Sequence, residues 1–280
     1  MAATDIALAI EELSPADAPA GLALSDEAGW NQTLEDWHVF LEQGTVFGMR
    51  DDAGGVIATA ALLPSPPVTW ISMVLVTASW RRRGLANALM TRCIETARAR
   101  GLEAWLDATW AGAAVYRPMG FAETSLALSR LRRTSGNAAT HVHRAASAAT
   151  LQKLLEADRR AMGFERGELI RHFAARRGSA IYETDGAIGL TRAGRKASQI
   201  GPVYAANATA AIALFDSILA THAGSLLIDL STTHSEAHEF LLSRGFMFER
   251  PFARMRFGEG AARRIGGGAE IVAVAGPEFG

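Results

Sequence analysis

Apolar and polar positions follow two periods along this chain, and both halves use them in nearly the same order. Ile6 to Leu13 alternates with period two and predicts an opening strand. Ser14-Pro15-x-Asp17 offers a helix N-cap with proline in the first turn, and helical spacing follows at 15–23 and 31–42. Thr45 to Arg50 and Val56 to Leu63 read as a hairpin around Asp52-Ala53-Gly54-Gly55. Pro64-Ser65-Pro66-Pro67 interrupts the pattern before an apolar, β-branched run, Trp70 to Val76, which predicts a buried strand. A polar turn, Thr77 to Arg83, leads to Gly84. Beyond it Leu85, Ala88, Leu89, Arg92, Cys93, Thr96 and Ala97 recur at helical spacing. Leu102 to Ala108 is a further strand, a short helix precedes Gly120-Phe121, and Ala122 to Leu131 alternates as a last strand. The order is β-α-α-β-β-β-α-β-α-β.

Residues 133–140, RTSGNAAT, are small, polar and aperiodic, which reads as a linker. The pattern then restarts. His141 to Arg144 predicts a strand, 147–160 and 166–176 helices, and 179–183 with 187–192 a hairpin around Asp185-Gly186. Lys196 to Tyr204 is a strand, 207–222 a helix, Leu226 to Leu230 a strand and Ser235 to Ser243 a helix. Gly245-Phe246 opens a strand ending near Phe257, and the glycine-rich tail from Glu259 holds one further candidate strand, Glu270 to Ala275. The chain is expected to be α/β (α+β): two tandem domains, each a mixed, mostly antiparallel sheet flanked by helices. The boundaries are 1–132, a linker at 133–140, and 141–280.

The chemistry gathers where the strand ending at Val76 meets the helix opening at Gly84. The first helical N–H groups lack intrahelical partners, and the helix dipole adds positive potential there. Gly84 lets the backbone approach an anion closely, and Arg81, Arg82 and Arg83 bring guanidinium forks suited to phosphate oxygens. A triple arginine taken alone reads as a solvated face.

Composition narrows the classes. The chain has 280 residues, comfortable for two domains, with 49% hydrophobic and 20% charged residues. A formal net charge of −1 gives no global argument for nucleic acid or an anionic membrane. The single cysteine, Cys93, excludes an internal disulfide or a Cys-based zinc site, and it falls on an apolar helix stripe. His141-x-His143 lacks further ligands at metal-binding spacing, so no metal is expected. The N-terminus carries no basic region before an apolar core, and no apolar run approaches the ~20 residues a membrane span needs. The expected location is the cytoplasm, with no membrane partner.

The spacing Arg81-x-x-Gly84-x-Ala86 between strand and helix resembles the acyl-CoA pyrophosphate loop of the GNAT superfamily of N-acetyltransferases. Ala113-Ala114-Val115-Tyr116-Arg117-Pro118-Met119-Gly120-Phe121 resembles that family's next helix, with its tyrosine four residues before a Gly-Phe pair. The second half repeats the pattern without the chemistry: Leu241 stands four residues before Gly245, and Ala205 to Ala211 contains neither arginine nor glycine. Asp158-x-x-Ala161-x-Gly163-x-x-Arg166, Ile200-Gly201-Pro202-Val203, Arg254-Met255 and Gly276-Pro277-Glu278-Phe279-Gly280 resemble a bacterial tandem-GNAT subfamily with a divergent second domain.

The resemblance implies acetyl-CoA as co-substrate and direct transfer of its acetyl group to a primary amine, in the expected case that of a small molecule. It assigns the pyrophosphate to Arg81, Arg82, Arg83, Gly84, Leu85 and Ala86, the pantetheine and thioester to amides near Val74, Leu75 and Val76, and the acid to Tyr116. Trp30, Asn31 and Gln32 lie where the family places its acceptor. An equal reading makes Trp30 a helix anchor and Asn31 a cap. No general base is legible; Glu27, Asp36, His38 and Asp107 are candidates by location. The rival readings are a non-enzymatic CoA-binding sensor or interaction protein, and an N-acetyltransferase of proteins. A monomer and a homodimer are both compatible with the chain.

Overall fold

The computed structural model describes residues 8–134, 147–222, 224–258 and 271–280. The chain divides into two compact units, Met1–Pro64 with Thr69–Ala104, and Ser65–Val68 with Trp105–Gly280.

The first unit begins with β1 (Glu11–Glu12), a 3-10 turn Pro15–Asp17, α1 (Ala18–Glu27) and α2 (Leu34–Gln43). Only the last part of the expected opening strand is regular, and the first seven residues of the chain lie outside the described set. Ser14 and Asp17 form a capping box, as do Thr33 and Asp36 at the start of α2. Then come β2 (Thr45–Arg50), β3 (Val56–Ser65) and β4 (Val68–Val76), with β1, β2, β3 and β4 as successive neighbours. β3 runs through Pro64, so only Pro66 and Pro67 separate it from β4. The helix opened by Gly84 is α3 (Leu85–Ala99). Its buried stripe is Leu85, Leu89, Met90, Cys93, Ile94 and Ala97. The expected stripe is rotated: Ala88 and Arg92 are exposed, and Met90 and Ile94 take the inner face.

The second unit contains most of β5 (Glu103–Ala108), then α4 (Trp110–Tyr116), a 3-10 turn Arg117–Met119 and β6 (Phe121–Arg133). The second pass follows with α5 (Ala148–Met162), α6 (Gly167–Ala175), β7 (Ala180–Thr184), β8 (Ala187–Arg192) and β9 (Ser198–Ala205). α7 (Ala208–Thr221), β10 (Leu226–Ser231), α8 (Ser235–Ser243), β11 (Met247–Phe257) and β12 (Ile271–Ala273) complete it. The expected strand at His141 to Arg144, the His141-x-His143 pair and the linker from residue 135 onward lie outside the described residues.

The strand order in this unit is β5-β11-β6-β10-β12-β9-β8-β7. The last strands of the two sequence halves are exchanged. β11 pairs with β5 of the first half, Ala253 opposite Ala108, while β6 pairs with β10 of the second, Ile228 opposite Leu131. β11 and β6 pair antiparallel with each other along most of their length. The division into compact units falls between residues 104 and 105, and on either side of Ser65–Val68, whereas the sequence pattern restarts after 133–140. Apolar residues of β6, β9, α7, β10, α8 and β12 form one core, with Leu131, Val203, Phe215 and Ile228 fully inaccessible.

Ion pairs tie the exchanged strands. Arg254 on β11 donates to both carboxylate oxygens of Asp107 on β5, each at 2.8 Å, and both side chains are fully buried. Arg130 on β6 grips Asp229 on β10 at 2.7 and 2.9 Å. Removing one partner of such a buried pair typically costs about 3–5 kcal/mol, because the other charge is stranded.

Candidate active site

In the first unit β4 is the scaffold, and it is not a plain strand. Met73, 1% exposed, has φ 51°, in the left-handed region that a side chain other than glycine rarely occupies. Thr59 on the neighbouring strand donates to the Met73 carbonyl at 2.8 Å and holds it. The kink directly precedes Val74, Leu75 and Val76, whose amides the family resemblance assigns to the pantetheine and thioester. No apolar pattern signals it, since methionine is an ordinary strand residue.

β4 ends in a 3-10 turn, Ala78–Trp80, and then the arginine loop. Arg82 takes φ 62° and Gly84 takes φ 82°, so two left-handed residues alternate with ordinary ones ahead of α3. Such alternation turns successive N–H groups toward one side, as anion-binding loops require. Gly84 is the N-cap of α3, and no side chain bonds the helix's first amides. A Cβ on Gly84 would meet no atom within 4 Å, so the space over the helix end is open. That cradle fits a diphosphate: unpaired amides, a positive dipole end and arginine beside them.

The three arginines are not equivalent. Arg81 Nε donates to the Val76 carbonyl at 2.9 Å, folding the loop back onto the end of β4. Arg83 donates to the Ser79 carbonyl at 3.1 Å and lies 4.6 Å over the Trp80 ring. Arg82 makes no hydrogen bond or ion pair among the described residues and is exposed.

Glu27, at the end of α1, closes the base of this loop. Its carboxylate accepts from Thr77 Oγ1 at 2.7 Å and from the Ala78 amide at 2.6 Å, with Arg81 3.9 Å away. The Thr77 hydroxyl, then the Ala78 amide, hold this carboxyl below its ordinary value. Glu27 is thus a clasp between helix and loop. Asp36 is the capping-box carboxylate of Thr33, accepting its amide at 2.8 Å, and His38 Nδ1 lies 3.4 Å from Glu42. Asp107 is committed to Arg254; burial pushes its carboxyl up, and the guanidinium opposes that. Glu27, Asp36 and Asp107 are thus engaged in hydrogen bonds, whereas His38 Nδ1 makes none among the described residues.

Trp30, Asn31 and Gln32 form the connection between α1 and α2. Asn31 does not cap α2, because Thr33 accepts from the Asp36 amide at 3.2 Å. Nor is Trp30 the principal anchor. Trp37, fully buried, bonds Ser25 Oγ through Nε1 at 3.0 Å, and Gly21 makes room for its ring: a Cβ there would stand 2.4 Å from it. Trp30 is half-buried, and Gln32 is 6% exposed with Oε1 lacking a hydrogen-bond partner among the described residues. A buried amide oxygen left unpaired is costly.

In the second unit Tyr116 closes α4, half-buried, with its ring 6.1 Å from that of Phe121. Gly112, one turn earlier, leaves it space, since a Cβ there would lie 3.1 Å from the ring. Gly120, at φ 101°, ends the turn, and a Cβ on it would press on Phe257 at 3.1 Å. The Gly-Phe pair therefore fixes the end of α4 against β11.

Cys93 is inaccessible, and burial pushes its thiol up to about 12, so it packs rather than reacts. Among the described residues there is no group of three or more His, Cys, Asp or Glu able to hold a metal ion. No described helix is long and apolar enough to cross a membrane.

Comparisons with known proteins bear on the family of the chain. The Acetyltransferase (GNAT) family matches residues 9–121, and a second Acetyltransferase (GNAT) domain matches residues 154–266. The chain is 25% identical over 235 residues to the uncharacterised N-acetyltransferase YitH of Bacillus subtilis strain 168, covering 80% of this chain and 83% of that one. Among solved structures, a Pyrococcus horikoshii protein provisionally assigned as an acetyltransferase superposes with a TM-score of 0.79 at 16% identity, covering 100% of this chain and 98% of that one. A tandem GNAT protein from the clavulanic acid biosynthesis pathway gives 0.61 at 15% identity, covering 91% and 100%. With two family domains matched in succession, this chain belongs to the GNAT acetyltransferases and is an acyltransferase built as a tandem of them.

Proposed function

We propose that the chain is an acetyl-CoA-dependent N-acetyltransferase that acts on the primary amine of a small molecule. In this reading residues 1–132 form the catalytic domain, 133–140 a linker, and 141–280 a divergent domain that shapes the acceptor site. The observation that carries it is the open, uncapped N-terminus of α3 beneath two left-handed loop residues.

When bound, acetyl-CoA supplies an acetyl group activated as a thioester. Arg82 and the amides of Arg83, Gly84, Leu85 and Ala86 bind its diphosphate, while Arg81 and Glu27 keep the loop in the shape that presents them. The amides after the Met73 kink, at Val74 to Val76, orient the pantetheine arm and polarise the thioester carbonyl. Gln32 Oε1 accepts a hydrogen bond from the acceptor, and Trp30 supplies an apolar wall beside it. The new C–N bond forms as the C–S bond breaks, and Tyr116 Oη gives up its proton to the departing sulfur. Glu27, Asp36 and Asp107 are held in hydrogen bonds of the fold, and the amine's proton leaves through water.

Tyr116→Phe tests the acid. Steady-state assays over a panel of small amines should show turnover reduced about a hundredfold, with acetyl-CoA affinity unchanged. Equal turnover in variant and parent would remove Tyr116 from the mechanism. Acetylation of peptide N-termini with no small amine accepted would replace the proposed acceptor.

A further inference from the structure

The second unit contains a cleft that is already filled. β9 and β10 run parallel only at Ser198, Gln199 and Ile200, opposite Leu226, Leu227 and Ile228. Beyond that point they part, and β12 stands between them, Ala273 facing both Leu230 and Val203 and Ile271 facing Tyr204. The Val274 amide continues the ladder to the Asp229 carbonyl at 3.1 Å. The family match to the second half stops at residue 266, so this strand lies outside the matched domain.

The seat is built for a peptide. Gly201, at φ 146°, lets the Val274 carbonyl approach so closely that a Cβ would stand 2.0 Å from it. Two buried arginines face the segment's carbonyl groups. Arg166 holds Asp158 and donates to the carbonyls of Phe279, at 2.8 Å, and Gly280. Arg192 donates to the Ala275 carbonyl and lies 3.5 Å from Glu278. Phe279, 2% exposed, meets Phe173 edge-on at 4.8 Å, and Arg192 stacks on both rings. Backbone pairing supplies affinity and one aromatic anchor supplies register, the pattern of strand-addition peptide sites.

We propose that the cleft between β9 and β10 is a peptide-binding site whose resident ligand is residues 271–280 of the same chain. The segment takes up the amides of β9 that would otherwise face a ligand, so the second domain receives a peptide and not an acyl carrier. That last clause rests on the functional reading above; occupancy by the peptide does not.

The test is a protease site placed within 259–270 of the full chain, with the insertion-bearing uncleaved protein as control. After cleavage, native mass spectrometry should find the released fragment that contains 271–280 retained at one per chain and displaced only by excess labelled 271–280 peptide. A Phe279→Ala peptide should bind about tenfold or more weakly, as expected for loss of a buried aromatic anchor. Loss of the peptide at micromolar protein with unchanged melting would overturn the proposal. A dimer held together through exchanged tails before cleavage would overturn the same-chain occupant. If cleavage unfolds the protein, hydrogen exchange on the intact chain decides instead. The amides of Ile271 to Ala275 should exchange as slowly as β10 in the parent and faster in Phe279→Ala; fast exchange in the parent would overturn the seat. None of these readouts uses acetyl-CoA, so they fail or succeed apart from the catalytic reading.

Discussion

The two strand–helix junctions, β4 into α3 and β9 into α7, occupy the same place in the two halves and differ in what satisfies the helix's first amides. At α3 the cap is Gly84, no side chain reaches back, and the space above is open. At α7 the cap is Asn207, whose Oδ1 accepts from the Ala210 amide at 2.9 Å, and the Ala206 amide is taken by the Gly186 carbonyl at 2.9 Å. The second junction consumes its own donors; the first leaves them for a ligand. The strands repeat the contrast, because β12 covers β9 on the side facing β10. The two halves thus share an architecture and differ at this junction by one capping side chain and one inserted strand.

Substitutions can break this contrast by graded amounts. The largest effect belongs to Gly84→Trp, which fills the open cradle and forces φ 82° on a bulky residue; it should abolish acetyl-CoA binding measured by fluorescence or calorimetry. Next, Arg82→Ala should weaken acetyl-CoA about tenfold, the scale of one charge-assisted contact, and Arg83→Ala less, because that side chain is engaged with Ser79 and Trp80. Equal losses would mean that both guanidinium groups reach the ligand. Asn207→Ala should lower stability by about 1 kcal/mol in denaturant titration, the usual cost of a lost N-cap, with no change in acetyl-CoA affinity.

The smallest effect is a pH dependence at Glu27. A carboxyl whose folded value is depressed stabilises the fold above its unfolded value and loses that contribution as pH falls through the folded one. The loop clasp should therefore hold at neutral pH and release only below 4.5, the ordinary value for this group. Exchange of the Ala78 amide, followed by NMR between neutral pH and pH 3, reports it. An amide that stays protected throughout would show that Glu27 does not hold the loop.

What the sequence made legible follows from how local each signal is. The β4–α3 junction could be read because glycine and arginine at fixed spacing have local consequences, and the hairpins because their turns carry Gly186 or the Gly54-Gly55 pair. The exchange of β6 and β11 could not, since both strands alternate similarly and pairing partners lie far apart; Asp107 and Arg254 are separated by 147 positions. The stripe of α3 is rotated because Met90 and Ile94 fill the core, while Ala88 and Arg92, at the same helical spacing, face outward. The left-handed Met73 has no sequence mark at all, and β12 was visible as a strand without its partners. Between α1 and α2, Thr33 and Asp36 do spell a capping box, so the cap of α2 is readable in residues three positions apart.

The central claim is that one junction binds and its counterpart does not. Calorimetric titration of the full chain with acetyl-CoA counts the sites directly. One site per chain is the expected result; two sites would contradict the account by showing that Asn207 and β12 do not close the second half, and no binding would contradict it by leaving the α3 cradle without its ligand.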